Sequence, residues 1–305
     1  MKAVQKSATK PSVIRGLVAP SASLLLPILQ ALTSLFTLRR RLNAAEKLAK
    51  FCLYVSQSRV SSNLDAAWSL ALLAEVLRCQ GRFAEAEATA RQAIEMYQKC
   101  EVDLVQTSAD SAERRAFSHE LLGAILRDLG RYSDALKMGK KSCEMLEQIQ
   151  NECATTNSAL GLADCYYELS RTLNYTGQPD DAITLLHQAL VLRGVEGEVL
   201  EVKSPDRYVA NILAELSRSY LMSGEFKEAQ CAADKAMACL STGDDAEEQL
   251  ARARVILAVA DVLKQSPEKT AEERSQATSL RAEALAIRKK WLSTKDPELL
   301  DIGGG

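Results

Sequence analysis

Apolar residues through most of the chain return at helix spacing, as in the pairs Leu73 with Leu77 and Leu216 with Tyr220. Four glycines, Gly81, Gly130, Gly177 and Gly224, each separate two such stretches and stand 49, 47 and 47 residues apart. Two positions after each glycine comes Phe83, Tyr132, Pro179 or Phe226, and five positions after it Ala86, Ala135, Ala182 or Ala229. Seven residues further stand Ala93, Ser142, Ala189 and Ala236, and eight residues before each glycine stand Leu73, Leu122, Leu169 and Leu216. The pattern predicts antiparallel helix pairs. Glycine ends the first helix in a left-handed conformation without steric cost, and small residues let the second helix approach closely.

Composition agrees: 47% hydrophobic residues with only 5% aromatic, and few Gly or Pro, favour helices over a β-sandwich or barrel. Two weaker copies flank the four. Leu32-Thr33, Phe36, Leu42, Ala45, Ala49 and Cys52 keep the spacing at the amino end, with Arg40 where glycine is expected. Leu257-Ala258, Ala277 and Ala284 keep it at the other, with the turn lengthened by Ser266-Pro267-Glu268-Lys269.

The motif Leu73-Ala74…Gly81-Arg82-Phe83-Ala84-Glu85-Ala86, repeated as Leu122-Gly123…Gly130-Arg131-Tyr132-Ser133-Asp134-Ala135, resembles the tetratricopeptide repeat. The resemblance covers about residues 28–292 and implies an all-α, right-handed superhelical solenoid of five to six helix pairs. The period exceeds the plain motif's length of about 34 residues. Insertions are expected around 98–115, 147–162, 193–207 and 240–247, which resembles the kinesin light-chain subtype. HEAT-type pairs have a similar period but lack the Gly-x-aromatic-x-x-Ala turn.

In such an array the first helices line the concave side, and the resemblance implies that partner contacts concentrate there. By that pattern the groove residues are Arg127 in the second copy, Asp164, Tyr167, Glu168, Arg171, Asn174 and Tyr175 in the third, and Asn211, Glu215 and Arg218 in the fourth. Glu168-Leu169-Ser170-Arg171 and Glu215-Leu216-Ser217-Arg218 are one tetrapeptide at one repeat position. Two readings stay open for it. The arginines grip an acidic or aromatic peptide, or each Glu neutralises the Arg three residues on. The paired asparagines that kinesin light-chain repeats set before Leu-Ala are absent, and so is the Lys/Asn clamp of chaperone-tail binders.

Charge and chemistry narrow the function. The net charge of −2 offers no general attraction for nucleic acid, although residues 1–45 carry +7 and the remainder −9. Residues 16–38 are uncharged, but Pro20 and Pro27 and the interspersed Ser, Thr and Gln argue against a membrane anchor. Cys52, Cys79, Cys100, Cys143, Cys153, Cys165, Cys231 and Cys239 show no C-x-x-C pair, as suits small apolar fillers in a reducing compartment. His119 and His187 are the only histidines and sit in different repeats, so neither a metal site nor a general base is expected. Gly303-Gly304-Gly305 is no phosphate loop, and no cofactor is expected. Asp244-Asp245-Ala246-Glu247-Glu248 reads as a helix start, and Trp68 and Trp291 as core packing before partner anchors.

The expected organisation is a flexible basic tail or transit segment over 1–23, the repeat array over 24–295 and a flexible tail over 296–305. The expected function is a non-catalytic, cytoplasmic scaffold holding a peptide or protein partner in its groove. The alternatives are a docking or regulatory segment of a larger enzyme, a subunit that self-assembles through an uncapped last pair, and an organellar protein with a basic presequence.

Overall fold

A computed structural model describes residues 22–57, 63–103, 109–195, 206–265 and 270–300, so the basic tail expected over 1–23 lies outside the described residues up to residue 21. Twelve long helices follow one another as six hairpins: α1 (Ala22–Leu38) with α2 (Leu42–Gln57), α3 (Asn63–Cys79) with α4 (Phe83–Asp103), and α5 (Ala109–Asp128) with α6 (Tyr132–Glu152). Then come α7 (Thr156–Tyr175) with α8 (Pro179–Leu192), α9 (Arg207–Ser223) with α10 (Phe226–Ala238), and α11 (Ala246–Gln265) with α12 (Ala271–Trp291). A four-residue helix, α13 (Pro297–Leu300), ends the described chain. Among the described residues there is no strand.

The recurring turns share one geometry. Gly81, Gly130, Gly177 and Gly224 all have φ between +72° and +80°, and Arg40, the residue in the glycine position of the first hairpin, takes φ +53°. In each turn the left-handed residue donates to the carbonyl three residues before it, and its successor donates to the carbonyl five residues before itself, as in Gly130 N to Arg127 O (2.8 Å) and Arg131 N to Leu126 O (2.8 Å). This pair of hydrogen bonds satisfies carbonyls that a helix end leaves unpaired. Arg40 makes the same pair through Arg40 N to Thr37 O and Arg41 N to Phe36 O, so the weakest copy is a full member of the array.

Inside the hairpins the predicted small residues are buried: Ala86, Ala135, Ala182, Ala229, Ala93, Ser142, Ala189 and Ala236. Ser142 reaches across to donate to Ala116 O at 2.8 Å, a contact that a larger side chain would push apart. Successive odd-numbered helices from α3 to α11 also pack on one another, forming the inner layer of a solenoid, while each even-numbered helix packs on its sequence neighbours outside. The long period comes less from loops than expected. α6 runs on to Glu152 and α7 begins at Thr156 under the Thr155 cap, so most of the stretch 147–162 is helix.

Two ends differ from expectation. At the carboxyl end, where the self-assembly alternative placed an uncapped last pair, α12 buries Ala277, Ala284 and Arg288 and turns a polar face outward. The exposed apolar row lies at the other end instead, on α1, where Leu25, Ile28, Leu32 and Leu35 stand at helical spacing. The tail expected from residue 296 is, through residue 300, part of the folded body: after Trp291 the chain doubles back into the concave side. Arg171, Arg254 and Arg288 hold it there through Glu298, a contact that helix periodicity does not encode.

Candidate functional site: the concave groove

Nine of the ten predicted groove residues line two adjoining cavities on the inner layer, of about 470 Å³ and about 230 Å³. Both have Tyr167, Arg171, Tyr175, Asn211, Arg254 and Glu298 in their walls. Asn174 does not line them. It is buried between α7 and α9, where its Nδ2 donates to Glu215 Oε1 (2.7 Å) and Ser219 Oγ (2.9 Å).

Glu168 is the charge centre of the larger cavity. Arg127 Nη1 donates to its Oε2 at 2.7 Å and to its backbone oxygen at 3.2 Å, and Arg171 Nη1 approaches its Oε1 at 3.3 Å. Burial alone would raise the Glu168 carboxyl, but the nearby charges of Arg127, Arg171 and Arg78 outweigh it and hold the group well below the usual carboxylate range. Asp164 pairs with Arg193 Nη2, and Asn211 Oδ1 lies 3.5 Å from Arg254 Nη1. The aromatics are platforms. Tyr175 stacks on Tyr132 at a centroid distance of 5.4 Å, Arg218 lies over the Tyr175 ring at 5.0 Å, and Arg171 lies over Tyr167 at 5.8 Å.

The same surface holds residues that sequence reasoning missed. Glu75 and Arg78 stand in the first good copy where Arg171 and Asn174 stand in the third, so carrying the repeat position backward would have found them. Arg78 Nε donates to Asp128 Oδ2 at 2.7 Å, and burial pushes the Glu75 carboxyl up to about 6. Burial likewise raises Glu120 well above its ordinary value. Glu298 carried no repeat signal of this kind, since it lies past the last copy.

Residues considered for other roles sit elsewhere. His119 is buried on α5 with its Nδ1 unpartnered, and desolvation, with Lys141 and Arg115 nearby, lowers its pKa to about 4. His187 Nε2 meets Tyr220 Oη at 2.8 Å on α8, and neither histidine lines the groove cavities. Trp68 packs edge-on against Phe117 at 5.4 Å. Asp245 caps α11 by accepting from Glu247 N and Glu248 N. Among the described residues no group of His, Cys, Asp and Glu is arranged to hold a metal ion, and no helix is long and apolar enough to cross a membrane.

Turn, hairpin and groove together define a tetratricopeptide-repeat solenoid. Profiles described as tetratricopeptide repeat match residues 31–99 and 162–194, so these two stretches are similar to tetratricopeptide repeats. Similar solved structures include one from Podosopora anserina described by its nearly identical kinesin light chain TPR-like repeats, with 18% identity over 70% of this chain and 94% of that one at a TM-score of 0.51. BtubC (BKLC) from P. vanneervenii is 18% identical over 83% of this chain and 90% of its own, with a TM-score of 0.54. A Rap protein complexed with Competence and Sporulation Factor is 14% identical over 92% of this chain and 75% of its own, with a TM-score of 0.59. No curated protein sequence matches the chain.

Proposed function

We propose that the chain is a non-catalytic scaffold whose concave groove holds a peptide or protein partner. The observation that carries this reading is the concentration of charged and aromatic side chains, Arg127, Tyr167, Glu168, Arg171, Tyr175 and Arg218, in the walls of two adjoining cavities of the inner layer. Pre-positioned arginines and aromatic rings recognise a partner with little ordering cost. The likeness to a Rap protein solved in complex with a factor supports the same use of the fold.

The test is affinity capture with the wild-type chain beside a Tyr175→Ala, Arg218→Glu double variant, two half-buried positions whose change leaves the Glu168 network in place. Loss of at least one captured partner, with helicity unchanged by circular dichroism, is the expected result. Survival of every partner rules the groove out.

A second reading, assembly of copies, rests on the exposed row Leu25, Ile28, Leu32 and Leu35 of α1. It predicts a mass in sedimentation that rises with concentration and returns to the monomer value in an Ile28→Lys, Leu32→Lys variant. A monomer at all concentrations removes it.

A further inference from the structure

The first hairpin inverts the usual distribution of polar and apolar side chains. On α1 the polar residues Gln30, Thr33 and Thr37 are buried, with Gln30 Nε2 donating to Ser69 Oγ of α3 at 3.1 Å. Every exposed position of that helix from Leu25 to Leu35 is apolar. Leu25, Ile28, Leu32 and Leu35, with Phe51 and Tyr54 of α2, are half of the twelve large apolar side chains exposed among the described residues. Such side chains scattered singly need no explanation, but a row of them on one hairpin does. The opposite end of the array shows the ordinary way to finish a solenoid. There α12 exposes Glu272, Arg274, Glu283 and Lys289, polar residues of both signs.

Charge selects what covers the first face. Leu25, Ile28, Leu32 and Leu35 run at helical spacing into exposed Arg39, while Phe51 and Tyr54 continue a stripe that starts at exposed Lys47. Arg41, just before α2, is exposed as well. Residues 22–57 contain a single acid, Glu46, and it is taken by Lys50 at 2.6 Å and Arg82 at 2.9 Å. Residues 1–21 add Lys2, Lys6, Lys10 and Arg15 and no acid. The face is thus apolar and cationic together. The assembly reading above uses the same row, but two copies joined by this face would set one basic surface against another. A bilayer with anionic headgroups satisfies both halves, taking the apolar row among the headgroups and the bases at their level. With 17 residues α1 is shorter than the about 20 needed to cross a membrane, so it would lie along the surface.

We propose that the free face of the first hairpin docks on an anionic lipid bilayer. Leu25, Ile28, Leu32 and Leu35 enter the headgroup layer, and Arg39, Arg41 and Lys47 pair with the lipid phosphates and carboxylates. None of these residues lines the groove cavities, so a membrane under the first hairpin leaves the groove open to a partner.

The test is flotation of the full chain with vesicles of phosphatidylcholine alone and with about one third phosphatidylserine. The expected result is binding to the anionic vesicles only, weakened at least about tenfold at about 1 M salt, where screening reaches about 3 Å. No binding to anionic vesicles, or equal binding to both kinds, overturns the proposal. Ile28→Asn, Leu32→Asn and, separately, Arg39→Gln, Lys47→Gln change exposed side chains and should leave helicity by circular dichroism unchanged. Each pair should weaken partitioning at least about tenfold. Wild-type binding by either pair overturns the proposal, since residues 1–21 would then be enough. The Tyr175→Ala, Arg218→Glu chain should bind vesicles as wild type does, and its failure would move the lipid contact into the groove.

A second measurement keeps the apolar row intact. In Leu35→Trp, bound to anionic vesicles carrying brominated phosphatidylcholine, the added emission should shift to the blue and be quenched beyond that of wild type. An unquenched tryptophan overturns the proposal. A wild-type chain that ignores vesicles, self-associates in sedimentation and loses that association in the Ile28→Lys, Leu32→Lys variant gives the face to a second copy.

Discussion

The two copies of Glu-Leu-Ser-Arg occupy the same place in successive hairpins, yet their charges do different things. In both, the Glu accepts a 2.7 Å hydrogen bond from the residue 41 positions earlier, so the geometry of the repeat is conserved to the bond. That donor is Arg127 for Glu168 and Asn174 for Glu215. The neutral donor leaves Glu215 in a buried hydrogen-bond knot with Asn174 and Ser219, while the charged donor makes Glu168 a member of an open arginine network. The arginines diverge in turn: Arg171 stays by Glu168 and reaches Glu298, whereas Arg218 lies over Tyr175. A residue's role in a solenoid is therefore set by the preceding repeat as much as by its own.

The contrast is broken most severely at Glu168. Glu168→Gln leaves Arg127 and Arg171 without their shared counter-charge in a largely dry site, and such a loss costs about 3 kcal/mol or somewhat more. The urea midpoint should fall with little change in slope. The pH sign follows from the depressed carboxyl. Since its folded pKa lies well below the ordinary 4.5, its contribution is whole above that value and is lost as pH falls below it. Wild type should thus lose stability on acidification below about pH 4.5 more steeply than Glu168→Gln, measured as midpoint against pH. Parallel curves would mean that Glu168 carries no net electrostatic weight.

Next in size is Asn174. Asn174→Ala strips a donor from buried Glu215, and an unsatisfied buried acceptor costs about 1–3 kcal/mol. Partner capture should persist, because Asn174 lies outside the groove cavities. A variant that keeps its stability but loses its partners would reverse the assignment of the two rungs.

His119 offers an independent acid-side control within the same array. Its folded pKa of about 4 lies below the ordinary 6.5, so the unfolded chain takes up the proton first and stability falls between those two values. His119→Leu should flatten that stretch of the pH curve while leaving the steeper loss below it, which belongs to Glu168. If the flattening is absent, the histidine is solvated in the fold.

How far the sequence announced this picture differs by level. The turns were legible because each needs a left-handed residue, and only glycine adopts that conformation freely; even Arg40 was placed by spacing alone. Nine of ten groove positions were legible because a repeat carries its concave positions at constant offset. Asn174 was misplaced because a helix offset gives a direction around the axis, while the tilt between neighbouring hairpins decides whether that direction meets open space or the next helix. Glu298 was invisible for a stronger reason. Its contacts span up to 127 residues and arise only once the solenoid curves enough to bring α7, α11 and α12 around one point.

The smallest expected effect is also the most direct measure of the difference between the rungs. A double-mutant cycle on Tyr175 and Arg218 should give a coupling of about 0.5–1 kcal/mol, that of a half-exposed cation over a ring. The cycle on Glu215 and Arg218 should be additive to within about 0.5 kcal/mol, because the Glu215 carboxylate takes its hydrogen bond from Asn174 and Arg218 lies over the Tyr175 ring. The matching cycle on Glu168 and Arg171 should show clear coupling, since the two charges lie 3.3 Å apart out of most of the solvent. Equal coupling in both Glu–Arg cycles would mean that each Glu serves the arginine three residues on after all, and that the identity of the residue 41 positions back is irrelevant. Coupling confined to Glu168 would place the distinction where the structure draws it, in the exchange of Arg127 for Asn174 one repeat earlier.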